Sequence, residues 1–224
     1  MSIQQKFAQG AQALNGGDTQ GALKHFNEIN NHLDPPGHPE TKQMQGICLR
    51  MLGRYDEAEE AFESAFRLAR TRILQGRIKR DWSMIPLEEG DVARAQKFID
   101  GSLELLEYSE IPDPEDPRPK VEQEDERKIE YFVSLGFRSR VDVLAGNVER
   151  ALLDYETARI NLRNRHPYEL NTTVWELKIV PFSRRLKLFF RALRLALRAR
   201  NKKRCAQVVL LTFWRQRGLR FDKD

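Results

Sequence analysis

The chain of 224 residues carries 38 Lys and Arg against 33 Asp and Glu, a formal charge of +5, with 40% hydrophobic and 32% charged residues. With 13 Gly and 10 Pro, that composition favours helices with long solvated faces over a compact β protein. Cys48 and Cys205 match no disulfide framework or metal spacing and suit a reducing, cytoplasmic setting. The opening MSIQQKFAQG lacks the apolar core of a signal peptide, and the stretch around Val208 to Leu211 is too short to span a bilayer.

The charge is unevenly distributed. Residues 1–158 hold 20 basic and 29 acidic side chains, a balance of −9, whereas residues 159–224 hold 18 basic and 4 acidic, a balance of +14. An acidic body therefore precedes a basic end. Such asymmetry bears on partners and self-association rather than on fold.

Along the body one phrase recurs: GDTQGALKHF from Gly17, GRYDEAEEAF from Gly53, GDVARAQKFI from Gly90 and GNVERALLDY from Gly146. Each has a Gly, a polar turn, an Ala five residues on (Ala22, Ala58, Ala95, Ala151) and a bulky apolar residue four later (Phe26, Phe62, Ile99, Tyr155). The Ala spacings are 36, 37 and 56, a period that marks a repeat architecture. The Gly supplies a left-handed helix end, the Ala permits close helix approach, and the bulky residue fills the space between helices. Hairpins of this kind stack on one another into a solenoid. Pro86 falls within the first helix of the third copy and predicts a bend or a shortening there.

These residues resemble the tetratricopeptide repeat (TPR) family. The match is fullest at residues 39–70, where Gly46, Leu49, Leu52, Gly53, Tyr55, Ala58, Phe62 and Ala65 take the signature places. The first copy offers Gly10, Ala22 and Phe26, and the fourth Ser139, Gly146, Ala151, Tyr155 and Ala158, so the resemblance covers residues 5–165. The expected fold is an all-α, antiparallel helix-hairpin solenoid of four repeats with a C-terminal helical extension. It divides into a repeat array, 1–167, with an insertion at 109–128, and a basic helical cap, 168–224.

That insertion, SEIPDPEDPRPKVEQEDERK, holds Pro112, Pro114, Pro117 and Pro119, which forbid a continuous helix, followed by Glu122, Glu124, Asp125 and Glu126. Three readings stay open: a solvated loop, an acidic flap folded over a basic surface of the same molecule, and a partner-binding motif. Beyond Arg165, PYELNTTVWELKIV between two prolines reads as a helix. FSRRLKLFFRALRLALRAR predicts a helix over 182–200, with Arg184, Lys187, Arg191, Arg194 and Arg198 as a basic stripe. Its apolar stripe is Leu186, Phe190, Leu193 and Leu197, widened by Leu188, Phe189, Ala192 and Leu195. The last segment, CAQVVLLTFWRQRG, reads as a buried helix, with a short strand as its alternative.

No P-loop, paired-glycine fingerprint, HExxH or GxSxG motif occurs, and His25, His32, His38 and His166 complete no metal set, so neither catalysis nor a cofactor is expected. Binding is. The TPR resemblance implies a concave groove lined by first helices. In copy two its inward positions are Glu40, Gln43, Ile47, Arg50 and Met51. In copy three they are Arg77, Arg80, Met84, Leu87 and Glu88, and in copy four Val133, Gly136, Arg140, Val143 and Leu144. Arg50, Arg77, Arg80 and Arg140 suggest a groove for carboxylate-bearing proteins or peptides, and Met51 and Met84 add adaptable apolar contact. The positions that hold a Lys and two Asn in chaperone-clamping members carry Phe7, Ala11, Asn15 and Gln43, which argues against that role. The expected function is a non-catalytic protein- or peptide-binding adaptor. The alternative is association with nucleic acid or an anionic membrane through the basic helix, which otherwise serves as a cap or as a protein contact, including one with the acidic body of a second copy.

Overall fold

Each Gly of the repeated phrase ends a helix. Gly17, Gly53, Gly90 and Gly146 have φ of 90°, 73°, 84° and 82°, the left-handed region that a side chain resists. The Gly53 amide donates to the Arg50 carbonyl and the Arg54 amide to the Leu49 carbonyl, both at 3.0 Å, and the same two bonds recur at the other three glycines. This is the Schellman closure, which satisfies carbonyls left over at a helix end. In two copies the next residue starts the following helix: Asp18 accepts from the Gly21 amide at 2.8 Å and Asp91 from the Arg94 amide at 2.9 Å.

The computed structural model describes residues 2–31, 38–107, 112–163, 173, 182–198, 206 and 209, with side chains 188–197 in the last helix. In chain order the helices are α1 (Ile3–Gly16), α2 (Thr19–Asn31), α3 (Pro39–Met51), α4 (Tyr55–Leu68), α5 (Arg72–Trp82), α6 (Met84–Glu88), α7 (Val92–Glu107), α8 (Lys120–Leu144), α9 (Val148–Asn161) and α10 (Phe182–Arg198). No strand occurs among the described residues. The fold is all-α, built of helices that pack with their chain neighbours: α1 on α2, α3 on α4, and α5 and α6 on α7. The chain divides into two compact units, Met1–Arg127 and Lys128–Asp224. The boundary expected at 167/168 lies outside the described residues.

The repeated small and bulky positions form the core. Ala22, Ala58, Ala95 and Ala151 are 0% exposed, and Phe26, Phe62, Ile99 and Tyr155 at most 1%. Burying each of the larger four contributes about 1.5–3 kcal/mol. Sixteen residues before each of them stands another small residue: Gly10, Gly46, Ser83 and Ser139. A Cβ on Gly10 would lie 2.8 Å from the Phe26 ring, and one on Gly46 would lie 3.0 Å from three atoms of Phe62. The ring of the second helix thus rests directly on the backbone of the first. Where serine replaces glycine, the buried hydroxyl turns onto its own helix: Ser83 donates to the Arg80 carbonyl at 2.6 Å and Ser139 to the Leu135 carbonyl at 2.9 Å. In the first unit, one hydrophobic core runs from Phe7 of α1 through α2, α3, α4 and α5 to Ile85 of α6.

Pro86 acts as its chemistry dictates. Lacking an amide hydrogen, it cannot bond the Trp82 carbonyl, and the third first-helix breaks at Ser83 into α5 and α6. The described part of the insertion is a largely exposed loop that leads into a helix. Helix begins at Lys120, directly after Pro119, so Glu122, Glu124, Asp125 and Glu126 lie in the opening turns of α8. Proline needs no amide partner at a helix start, and carboxylates there complement the helix dipole. The preceding loop is fastened by one buried side chain, Gln123. It accepts from the Asp113 amide at 2.7 Å and donates to the carbonyls of Asp116 at 3.1 Å and Arg118 at 2.8 Å.

Gly53→Ala is expected to lower stability by about 1 kcal/mol through its positive φ. Gly16→Ala, in open space at the end of α1, should raise stability by about 0.5–1 kcal/mol. Urea midpoints of the two variants should move in opposite directions.

Candidate functional site

The expected groove residues of copies two and three meet on α3, α5 and α6. Gln43, only 4% exposed, holds two residues of α5 with one amide. Its Nε2 donates to Asp81 Oδ2 at 2.7 Å, and its Oε1 accepts from Arg77 Nε at 3.2 Å. With Nε so held, the two terminal nitrogens of Arg77 face Glu40 at 3.8 Å and Glu126 at 3.5 Å. Those distances give attraction without a hydrogen bond. Arg50 pairs with Glu88 of α6.

Arg80 corrects the expectation of a presented cation. It is 7% exposed, and its Nε donates to Asp81 at 3.0 Å, so it serves the packing of α5. Each of these arginines already has a carboxylate of its own chain. Met51 is 50% exposed at the end of α3, and Met84 is half-buried. Arg140 lies in the second unit, its guanidinium 4.8 Å from the centre of the Phe137 ring, a cation–π contact. Asp81 was not singled out from sequence, and Glu126 was named only as part of the acidic cluster of the insertion. Asp81 had a signal, standing one helical turn after Arg77; for Glu126 the charge cluster was the signal, but its pairing with Arg77 depends on how the loop before α8 folds.

That loop brings a second charged group to the first. Asp116, its side chain 3% exposed, pairs with Arg118 at 2.5 Å, and Arg118 also reaches Glu126 at 2.5 Å. Arg118 holds the Asp116 carboxyl below its ordinary range, chiefly through the side-chain hydrogen bonds and against the effect of burial. Glu126 of the insertion is thus set against Arg77 within the same chain. A cavity of about 290 Å³ lies beside them, lined by Glu40, Leu74, Arg77, Glu115, Asp116, Pro117, Arg118 and Glu126 among others.

The basic helix differs from its sequence reading in rotation. Leu188, Ala192, Leu195 and Ala196 are buried, whereas Phe190 and Leu197 of the expected apolar stripe face solvent. Leu188, Ala192 and Leu195 belonged to the widened apolar stripe, and Ala192, Leu195 and Ala196 pack with Val209. Arg194 is exposed and Arg191 half-buried. Arg184, Lys187 and Arg198 lie on α10 with side chains outside the described set. The helix expected over 167–181 lies outside the described residues apart from Thr173, and the final segment apart from Ala206 and Val209.

Cys48 is buried and its thiol is pushed up to about 11 by desolvation, the reverse of what a nucleophile needs. His38 Nδ1 lies 2.7 Å from Glu40 at the start of α3, and no group of three metal-ligating side chains occurs among the described residues. No described helix is long and apolar enough to cross a membrane.

No family model matches the sequence, and no curated protein matches it. Solved structures do match. The nearly identical TPR-like repeats of a Podosopora anserina protein assigned as a kinesin light chain align over 97% of both chains, with a TM-score of 0.52 and 12% identity. A point variant of those repeats aligns over 96% of both, with a TM-score of 0.53 and 11% identity. At that identity the likeness speaks to fold, and the fold is a TPR-like helical-repeat solenoid.

The depressed Asp116 carboxyl has a consequence for pH. Its pairing stabilises the fold above the unfolded value of about 4 and is lost as pH falls through the lower folded value. Arg118→Gln is expected to cost about 1 kcal/mol at pH 7, a modest figure because Arg118 is 43% exposed. The same variant should show a shallower loss of stability as pH falls below about 4, read from urea midpoints at successive pH values.

Proposed function

We propose that this protein is a non-catalytic, cytoplasmic adaptor that binds a protein or peptide segment along α3, α5 and α6. The observation that carries this reading is the preset polar surface on which Gln43 aligns Arg77 while Met51 stands exposed on α3. A side chain already held in place loses little freedom on binding, which is how modest contacts yield affinity. The TPR-like fold adds general support, since stacked hairpins offer extended binding surfaces. A carboxylate-bearing ligand reaches Arg77 only by displacing Glu126. The ion pair between them, at 3.5 Å, is loose enough to exchange. Arg140 belongs to the second unit.

The nucleic-acid or anionic-membrane alternative rests on α10 and has less support. Phosphate binding gains from a row of exposed cations, but Arg191 is half-buried and Arg194 is flanked by exposed Phe190 and Leu197.

Two variants separate the readings: Met51→Glu with Arg77→Gln on the inner face, and Arg194→Gln on α10. Partners covalently trapped in cells by the unaltered protein should fall about tenfold with the first variant and persist with the second, as measured by quantitative mass spectrometry. The opposite pattern, together with salt-sensitive RNA or vesicle binding, would transfer the function to the basic helix.

A further inference from the structure

Helix α9 has two apolar faces. Ala151, Tyr155, Ala158 and Leu162 are buried, whereas Leu153 and Ile160 on the opposite side are 65% and 57% exposed. Two helical turns, about 10.5 Å, separate that exposed pair, and the exposed Glu156 stands between them on one flank, with Glu149 two turns before it. Helix α10 carries the counterpart. Phe190 and Leu197, 57% and 55% exposed, are also seven residues apart, and the exposed Arg194 stands between them.

The flanks decide how two such stripes fit. At about 100° per residue, Glu156 lies some 50° to one side of the Leu153–Ile160 line, and Arg194 lies a similar angle to the other side of the Phe190–Leu197 line. Opposed face to face and parallel, the helices bring Leu153 against Phe190 and Ile160 against Leu197. Glu156 and Arg194 then fall on the same flank, within about 1.5 Å in height. Antiparallel apposition sends the two charges to opposite flanks.

We propose that the α9 stripe of one molecule docks on the α10 stripe of a second copy, so that the protein self-associates through its C-terminal unit. Every copy supplies both halves, one with Glu156, 3.7 Å from Arg159 of its own helix, and one with Arg194, and apolar area is removed from water on each side. A lipid surface fits less well. The main apolar face of α10 is already packed on Val209 and, through Leu188, near Leu152, and Glu149 and Glu156 beside Leu153 repel anionic headgroups.

Sedimentation velocity of the full chain over a dilution series tests this. Association that grows with concentration is expected. Glu156→Arg or Arg194→Glu alone should weaken it about tenfold, the two reversals combined should restore it, and the uncharged change Leu153→Ala should weaken it without altering net charge. All three positions are exposed, so the fold is expected to survive. A protein that stays monomeric throughout overturns the proposal, as does association indifferent to the single reversals or unrestored by the pair. A monomer that instead cosediments with phosphatidylserine vesicles, and ceases to do so as Arg194→Glu, overturns it in favour of a lipid contact.

Discussion

The structure depends on a ring seated against a bare stretch of helix backbone. Phe62 lies so close to α3 that a single methyl group on Gly46 would press on three of its ring atoms at 3.0 Å. Gly10 and Phe26 repeat the arrangement one hairpin earlier. Helices that approach this closely exclude water from the seam and gain dispersion along its length. The same approach sets the distances at which longer side chains at the seam's edge meet. Gln43 reaches both Arg77 and Asp81 because α3 and α5 are drawn together over the core that Phe62 helps to fill.

Charge then follows packing. The inner-face arginines sit where water is partly excluded, and a guanidinium there is costly unless carboxylates face it. The chain provides them from α3, α5, α6 and the start of α8, in the form of Glu40, Asp81, Glu88 and Glu126. These contacts are unequal. Asp81 is bound to both Gln43 and Arg80, whereas Glu40 and Glu126 stand off from Arg77 beyond hydrogen-bond reach. The surface is therefore firm in position but loosely satisfied at its tip. That combination suits recognition better than structural stapling.

The second unit manages charge differently. Arg138 grips Asp154 through two hydrogen bonds of 2.6 and 2.9 Å, and Arg150 caps the buried Asp142, so α8 and α9 are joined by buried carboxylates as well as by Tyr155. Asp154 also keeps the Arg138 guanidinium firmly protonated, chiefly through those hydrogen bonds. Having satisfied its inner face in this way, α9 still carries Leu153 and Ile160 outward. An interior hairpin would bury such a face against its neighbour; here Leu153 and Ile160 stay exposed.

The repeat phrase by itself determined the hairpins. Gly at each left-handed helix end, Ala at each close approach and an aromatic or aliphatic residue one turn later are local requirements, readable without knowing what lies across the seam. Pro86 announced its break for the same reason. Tertiary structure decided the rest, because the deciding contacts join residues far apart in sequence. Arg80 looked like a presented cation until its helix packed and turned it inward. The insertion became a fastened loop and the first turns of a helix because Gln123 satisfies three backbone groups that sequence order does not bring together. On α10 the sequence centred the apolar stripe on Phe190 and Leu197, which stay exposed, whereas packing buried Leu188, Ala192, Leu195 and Ala196.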